Sequence, residues 1–387
     1  MLNLEAILPF ANETQAEKIR ARIEHGSNTA AGRALGCAET QIRKAIRIVS
    51  RRAAREGVAP GHFDKGVAPG YLMGKVTVQR AADGSVERTW ERQSPSASGA
   101  LEVLQDAIEA IVAEARGIIP PTAPPAVSDT DLLAVYPMGD PHFGMLSWAR
   151  ETGDNFDLGI AEQLTIQAID HLASCVPPAH EAILLNLGDF FHADNSTNRT
   201  PNSGAQLDVD GRFARIAEVG LRAMVRCIRR LLEKHQIVRV RCNRGNHDPH
   251  QAFMLALALN ATFENEPRVD VDLSPASFYY FRWGKVLIGS THGDGAKLND
   301  LPLIMATDRA EDWGATEYRH WHCGHFHHDQ SKEHPGVTVE THRTLAGRDS
   351  WHTHQGYRSG RDMKAIIYHR EHGEMTRIRC GVQRLAA

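Results

Sequence analysis

The strongest constraint on this chain is a change of periodicity near residue 130. From there on, short apolar runs of strand length alternate with longer amphipathic stretches, and the early runs each lead into a glycine beside Asp, Asn or His. Residues 132–138, 182–187 and 237–242 read as strands, and 157–175, 208–235 and 249–264 as helices. Further strands are expected at 277–283, 286–290, 337–340 and 365–369. Alternating strands and helices followed by β-rich segments imply an α/β sandwich of layers around a mixed sheet.

The residues that follow the strands carry the chemistry. Gly139-Asp140-Pro141-His142 follows the first, Gly188-Asp189-Phe190-Phe191-His192 the second and Gly245-Asn246-His247-Asp248 the third. Thr291-His292-Gly293-Asp294 follows the strand at 286–290, and Gly324-His325-Phe326-His327 makes a fifth cluster. Ligands bind beyond the carboxyl ends of strands in α/β folds, where glycine frees the backbone. Five such clusters are therefore expected to converge on one site. Of the chain's 21 histidines only two precede residue 132. Carboxylates, one amide and imidazoles together suit divalent Mn, Fe or Zn better than Mg alone. Two such cations about 3.5–4 Å apart clamp a phosphoryl centre and activate water.

These motifs, in this order, resemble the calcineurin-like metallophosphoesterase signature over roughly residues 132–330, with the sheet extending to about 380. The resemblance implies a four-layer α/β/β/α sandwich holding two divalent metal ions. One would be held by Asp140, His142, Asp189 and His327, and the second by Asp189 as bridge with Asn246, His292 and His325. His247 would be the catalytic histidine, protonating the leaving oxygen. Asp248 would orient its imidazole, or act as a helix N-cap before Pro249, or both. The second motif ends in His192, as in the DNA-repair exonuclease (SbcD-type) branch, where that histidine positions the substrate phosphate. A supporting hydrogen bond to an Asp is an equal reading of His192. That branch extends C-terminally into a capping and an ATPase-binding segment, which is not seen after this core, so no ATPase partner is implied. The extra mass lies N-terminally, in the manner of metallophosphoesterases encoded by tailed phages and prophages.

Residues 12–56 read as helices. Residues 30–35 form a short one, Gly36 breaks it, and 39–55 form a longer one with Ile42, Ala45, Ile46 and Val49 on its apolar side, a helix-turn-helix pattern. Residues 20–56 hold nine Lys and Arg against three Glu, a local charge of +6 within a chain of net −3. A basic helix of this kind binds DNA phosphates or, alternatively, serves a small oligomerisation module. Residues 75–80 and 86–92 flank Ala81-Ala82-Asp83-Gly84-Ser85, a hairpin signal. An amphipathic helix is expected over 101–112, and Pro120, Pro121, Pro124 and Pro125 mark a stiff linker. The expected division is thus 1–56, 57–131 and 132–387.

The six cysteines include no C-x-x-C pair, which argues against a zinc knuckle and a disulfide scaffold. The N-terminus lacks a signal-peptide pattern, and the longest apolar run, 253–259, is far short of a membrane span, so a cytoplasmic protein without a membrane partner is expected. Asn195, Asn198 and Arg199 either contact phosphate or form a polar turn. Arg343, Arg348, Arg358 and Arg361, with a single acid among them, offer a phosphate-tracking rim or a solvated surface. Trp351 and Tyr357 are readable as base-stacking or core aromatics, and His320, His322 and His328 as supporting or surface groups. Three functions compete. The first is a metal-dependent phosphodiester hydrolase acting on DNA, a nuclease of exonuclease type. The second is a phosphomonoesterase or cyclic-nucleotide or nucleotide phosphodiesterase. The third is a DNA-binding protein whose hydrolase site is secondary.

Overall fold

The computed structural model describes residues 4–59, 63–64, 67, 71–81, 83, 85–95, 117, 119–201 and 203–385. The helix expected over 101–112 lies outside them. The chain forms two compact units, divided between residues 110 and 111.

In the first unit, helix α1 (Glu13–His25) opens with a capping box, Asn12 and Gln15 each accepting from the other's backbone N–H. It closes on Gly26 in the left-handed region. Ser27 caps α2 (Asn28–Ala34), and α3 (Glu39–Arg55) follows the Gly36 turn. Ile19 meets Val49 and Ala53 in one apolar cluster, and Ala21 meets Ala31 and Ile42 in another. Burying one side of α3 leaves Arg43, Lys44, Arg47 and Arg51 exposed. The hairpin is longer than expected, pairing β1 (Tyr71–Arg80) with β2 (Val86–Pro95).

The strands of the second unit are, in chain order, β3 (Asp129–Met138), β4 (Ala179–Asn186), β5 (Ile237–Cys242), β6 (Val269–Val271), β7 (Tyr279–Trp283), β8 (Val286–Thr291), β9 (Tyr318–Cys323), β10 (Gln330–His334), β11 (Val337–Thr341), β12 (Asp362–His369) and β13 (Gly373–Gly381). They form two mixed sheets, β13-β12-β3-β4-β5-β6 and β10-β11-β9-β8-β7. Two of the four strands beyond the expected seven, β9 and β10, were hidden in the sequence for a physical reason. β10 is an exposed edge without an apolar face, and β9 alternates His320 and His322 with buried Trp321 and Cys323.

Helices α4 (Leu158–Cys175), α5 (Phe213–Leu232) and α6 (Gln251–Thr262) cover one face of the larger sheet. Leu172, Leu231 and Leu259 pack there with Tyr136, Leu184 and Val240. The other face, with Val135, Ile183 and Leu185, meets Val286 and Ile288 of the smaller sheet. That sheet's outer face, with Leu287 and Trp321, meets Leu301 and Met305 of α7 (Leu301–Asp308). The layers therefore run helix, sheet, sheet, helix. Strands buried on both faces explain why the apolar runs are continuous.

Two helices are shorter than expected. Gly211, at φ 100°, ends the reach of α5 toward 208, and Asp210 instead donates its N–H to the Gly144 carbonyl at 2.8 Å. α6 starts at Gln251 because Asp194 accepts from the backbone N–H of His250 and Gln251, both at 3.0 Å. The proline-rich segment is held to this unit, with Glu266 accepting from Thr122 N at 2.7 Å and Gln236 donating to the Pro125 carbonyl at 2.8 Å. Among the described residues no helix is long and apolar enough to cross a membrane, and all six cysteines are free.

Candidate metal centre and cleft

Parallel register brings the clusters together. Met138 pairs with Asn186 and Asn186 with Cys242, so β3, β4 and β5 end side by side. In the facing sheet Thr291 pairs with Cys323 and Cys323 with Thr341, so β8, β9 and β11 end at one level. The loops beyond these ends share one edge of the sandwich.

The backbone there is held in an unusual state. Among the described residues six non-glycine residues have positive φ: Asp140, His142, Asp189, Asn198, His325 and His327, at 46–68°. Five of the six are candidate ligands. The left-handed region costs roughly 1–2 kcal/mol per residue and persists where surrounding contacts over-determine it. Close approach adds a further demand. A Cβ on Gly245 would lie 2.0 Å from Asp189 Oδ1, and one on Gly188, itself at φ 100°, would lie 2.6 Å from His292 Nδ1. Only glycine lets the third and second loops approach their neighbours in this way.

Among the described residues four groups of three side chains have ligand atoms close enough to hold a cation: Asp140, His142 and His327; Asp189, His292 and His325; His142, His192 and His247; and, buried apart from the cleft, His322, Glu340 and His342. His292 Nε2 lies 3.2 Å from Asp189 Oδ2 and 3.1 Å from Asn246 Oδ1. Its Nδ1 is 2.9 Å from the Leu187 carbonyl oxygen, which sets Nε2 toward the ligands. His325 donates its backbone N–H to Asp140 at 2.9 Å, joining the first and fifth clusters. All seven side chains assigned to metal in the sequence are thus gathered in one place.

The donor chemistry fits divalent cations. His142 Nε2 and His327 Nε2 face each other at 3.2 Å, two imidazole nitrogens that a shared cation would satisfy. Burial, reinforced by the charge of His247, drives the His142 imidazole well below its ordinary range, so it is a neutral lone-pair donor. Burial alone would raise the Asp189 carboxyl, but His292 beside it outweighs this and keeps it ionised. His192 is buried with an Nε2 that has no hydrogen-bond partner. Its Nδ1 lies 3.2 Å from His142 Nδ1, and burial pushes its imidazole down to about 3.

His247 borders both Asp/His groups. Its backbone N–H donates to Asp189 Oδ1 at 2.8 Å, and its Nδ1 lies 2.8 Å from the His192 carbonyl oxygen. That carbonyl can only accept, so Nδ1 carries the proton and Nε2 is left for the cleft. Asp248 differs from the expectation that it orients this imidazole. Its carboxylate accepts from three backbone N–H groups instead, those of Gly245, Asp189 and Phe191, at 3.0–3.1 Å. Nor does it cap α6, a task taken by Asp194. Burial and the nearby Asp189 charge push the Asp248 carboxyl up to about 7.

These groups open into a cleft of about 470 Å³. Its far wall holds Thr200, Ser203, Gln206, Asp349, Trp351 and Tyr357. Of the two sequence readings of the arginines at 343–361, the phosphate-tracking rim is not met, since no Lys or Arg is among the described residues lining the cleft. Arg343 bonds Asp362, Arg348 and Arg361 pair with Asp154, and Arg358 donates to the Tyr357 carbonyl. Arg199 donates to the Gly204 carbonyl and Asn195 accepts from Thr197, so both serve their own polar turn. His322 is buried against His342 and Tyr368, and His328 bonds the Phe326 carbonyl. One functional candidate escaped the sequence reading. Asp349 accepts from His352 Nδ1 at 2.7 Å, and the His352 ring stacks on the ligand candidate His327 at 4.8 Å and 15°. An Asp three residues before a His at a helix start was the available signal.

No family model matches the chain, and no curated protein does. Solved structures give weak likenesses. One is a conserved uncharacterized protein from Streptococcus pneumoniae TIGR4, described as a predicted phosphoesterase, at 11% identity and TM-score 0.26 over 65% of this chain and 99% of that one. Another is wild-type Vps29 complexed with zinc from Entamoeba histolytica, at 12% identity and TM-score 0.26 over 64% and 98%. A likeness of this degree leaves the function to be read from the chain's own side chains.

Proposed function

We propose that the chain is a phosphodiester hydrolase of the calcineurin-like metallophosphoesterase type, using two divalent cations, most naturally Mn, and acting on DNA as an exonuclease. The observation that carries the reading is the joining of two Asp/His ligand groups and His247 on one cleft wall. Bound cations supply Lewis-acid charge at the phosphoryl centre. The protein's own part is positional. Strained backbones at Asp140, His142, Asp189, His325 and His327 aim the ligands. His247, pinned through Nδ1, presents Nε2 to the leaving oxygen as proton donor.

His192 in the second motif, where a phosphatase would carry Asp, favours the DNA-repair exonuclease branch. The exposed cations of α3 favour DNA as partner, since Arg43, Lys44, Arg47 and Arg51 line a helix whose other side is buried. The phage or prophage type follows the same N-terminal resemblance. One observation favours a second reading. A cleft without lysine or arginine suits a small diester, such as a cyclic nucleotide, better than a long polyanion.

The test is release of nucleotides from end-labelled single- and double-stranded DNA with Mn, Mg or Zn, beside Asp189→Ala and His247→Ala. A panel of a chromogenic diester, a monoester and a cyclic nucleotide runs in parallel. Hydrolysis of the diester without any attack on DNA would overturn the nuclease reading and leave the diesterase.

A further inference from the structure

The one-turn helix Ser350–His354 forms part of the cleft's far wall, and its construction is specific. Asp349 caps its start, accepting from His352 N at 2.7 Å. At its end Gly356 has φ 83°. The Gly356 N–H returns to the Thr353 carbonyl at 3.2 Å and the Tyr357 N–H to the His352 carbonyl at 3.0 Å. This pair of bonds is a Schellman motif, which brings the residue after the glycine back against the last turn. Here that residue is Tyr357, and its ring lies 5.8 Å from Trp351 at 30° and 5.4 Å from His352.

An apolar contact is the usual companion of this cap, but an aliphatic pair would serve it equally. Two large rings remain exposed instead, Trp351 at 57% and Tyr357 at 40%. They line the same cleft as the ligand groups. His352 spans the interval, stacked on His327 at 4.8 Å and edge-on to Trp351 at 5.0 Å. A chain of rings thus runs from the ligand candidate His327 through His352 to the exposed Trp351. The wall around it holds Thr200, Ser203 and Gln206 together with the carboxylates of Asp208 and Asp349, and no Lys or Arg is among the described lining residues. A ligand with a phosphate at the metal centre and a flat aromatic group one sugar away matches this distribution.

We infer that Trp351 and Tyr357 form a stacking platform for a nucleobase, so that the substrate is a base-bearing phosphodiester whose terminal nucleotide is unpaired. The inference rests on the proposed diesterase reading and sharpens it. Within the cleft, recognition comes from ring faces at the scissile end, with no Lys or Arg among its described lining residues.

The experiment compares Mn-loaded protein on a single-stranded oligodeoxynucleotide and on the same strand with abasic terminal nucleotides. Trp351→Leu keeps an apolar partner for the cap and removes the ring; Trp351→Phe keeps a smaller ring. Circular dichroism and melting confirm that each is folded. Base stacking predicts that Trp351→Leu raises KM on the base-bearing strand about tenfold more than on the abasic strand, with Trp351→Phe in between. Equal changes on both strands would overturn the platform. Binding of deoxyadenosine monophosphate, read by tryptophan fluorescence quenching, needs no hydrolysis. Quenching lost in Trp351→Leu supports the platform even if wild-type protein cuts no DNA, a result that overturns only the nuclease reading. Quenching that persists in Trp351→Leu overturns the platform itself.

Discussion

The carboxylate of Asp248 accepts the backbone N–H of Asp189 at 3.1 Å across 59 residues of sequence, and so ties the loop after β5 to the loop after β4. The same carboxylate holds Gly245 N and Phe191 N. It is a clamp between two ligand loops. Asp248→Ala leaves three buried N–H donors without an acceptor, at about 1–3 kcal/mol for each that stays dry. The expected outcome is a melting temperature lower by several degrees and a kcat lower by about a hundredfold. Thermal melting and steady-state kinetics on a chromogenic diester check it. Unchanged melting would show that the clamp is not needed.

Asp189 faces His292 of the second ligand group and is held by the backbone N–H of His247. Asp189→Ala is expected to reduce bound metal from two ions to one or none, with activity down at least a thousandfold. Elemental analysis after dialysis against Mn measures the first. In wild-type protein, added Mn should raise the melting temperature in a concentration-dependent way, and chelation should lower it.

His235 gives a pH-dependence away from the metal centre. Its Nδ1 meets the Ala179 carbonyl at 2.7 Å and its Nε2 the Tyr136 hydroxyl at 2.9 Å, both in the core. Burial pushes the imidazole down to about 4. Between that value and the ordinary 6.5, the unfolded chain binds the proton and the folded chain does not. Stability is therefore lost as pH falls from about 6.5 to about 4, and levels off below. The group's share is on the order of 3 kcal/mol at most. Urea unfolding at pH 7, 5.5 and 4.5 should show a shallower decline in His235→Gln than in wild type, since other buried histidines act in both.

Lys364 is buried and bonds Asp329 and Glu340, each at 2.5 Å. Lys364→Met removes a cation from two carboxylates, leaving Arg377 on Glu340 and Arg379 on Asp329. Breaking a buried pair from one side costs about 3–5 kcal/mol, the lower end applying where other cations remain. Denaturant unfolding measures the loss. A change below half that size would show that the arginines suffice.

The N-terminal unit carries its own test. Arg43, Arg47 and Arg51 repeat every fourth residue on the exposed side of α3. If this face meets DNA phosphates, changing all three to Gln lowers the salt dependence of binding by about three ions per complex. Fluorescence anisotropy across a salt series reads the slope. An unchanged slope would assign the helix to assembly.

Much of the site was legible in sequence because ligand chemistry at strand ends leaves a local mark. Gly139-Asp140, Gly188-Asp189, Gly245-Asn246 and Gly324-His325 each join a glycine to a candidate ligand. Asp248 shows the limit. Its neighbour His247 is adjacent in sequence, yet its partners are backbone groups up to 59 residues away. The arginines after residue 342 show it too, because only the fold decides that Arg343 meets Asp362 and Arg361 turns toward Asp154.

The sequence by itself determined the alternation of buried strands and helices, the places where glycine lets the backbone turn, and the set of donors able to hold divalent cations. These depend on residue type and short-range spacing. Tertiary structure decided which strands join which sheet, since β10 is an exposed edge and β9 alternates histidines with buried Trp321 and Cys323. It also decided which polar groups spend their hydrogen bonds on one another and which, like the rings of Trp351 and Tyr357, are left facing the cleft. Burial and pairing are properties of the packed chain, and no stretch of sequence carries them alone.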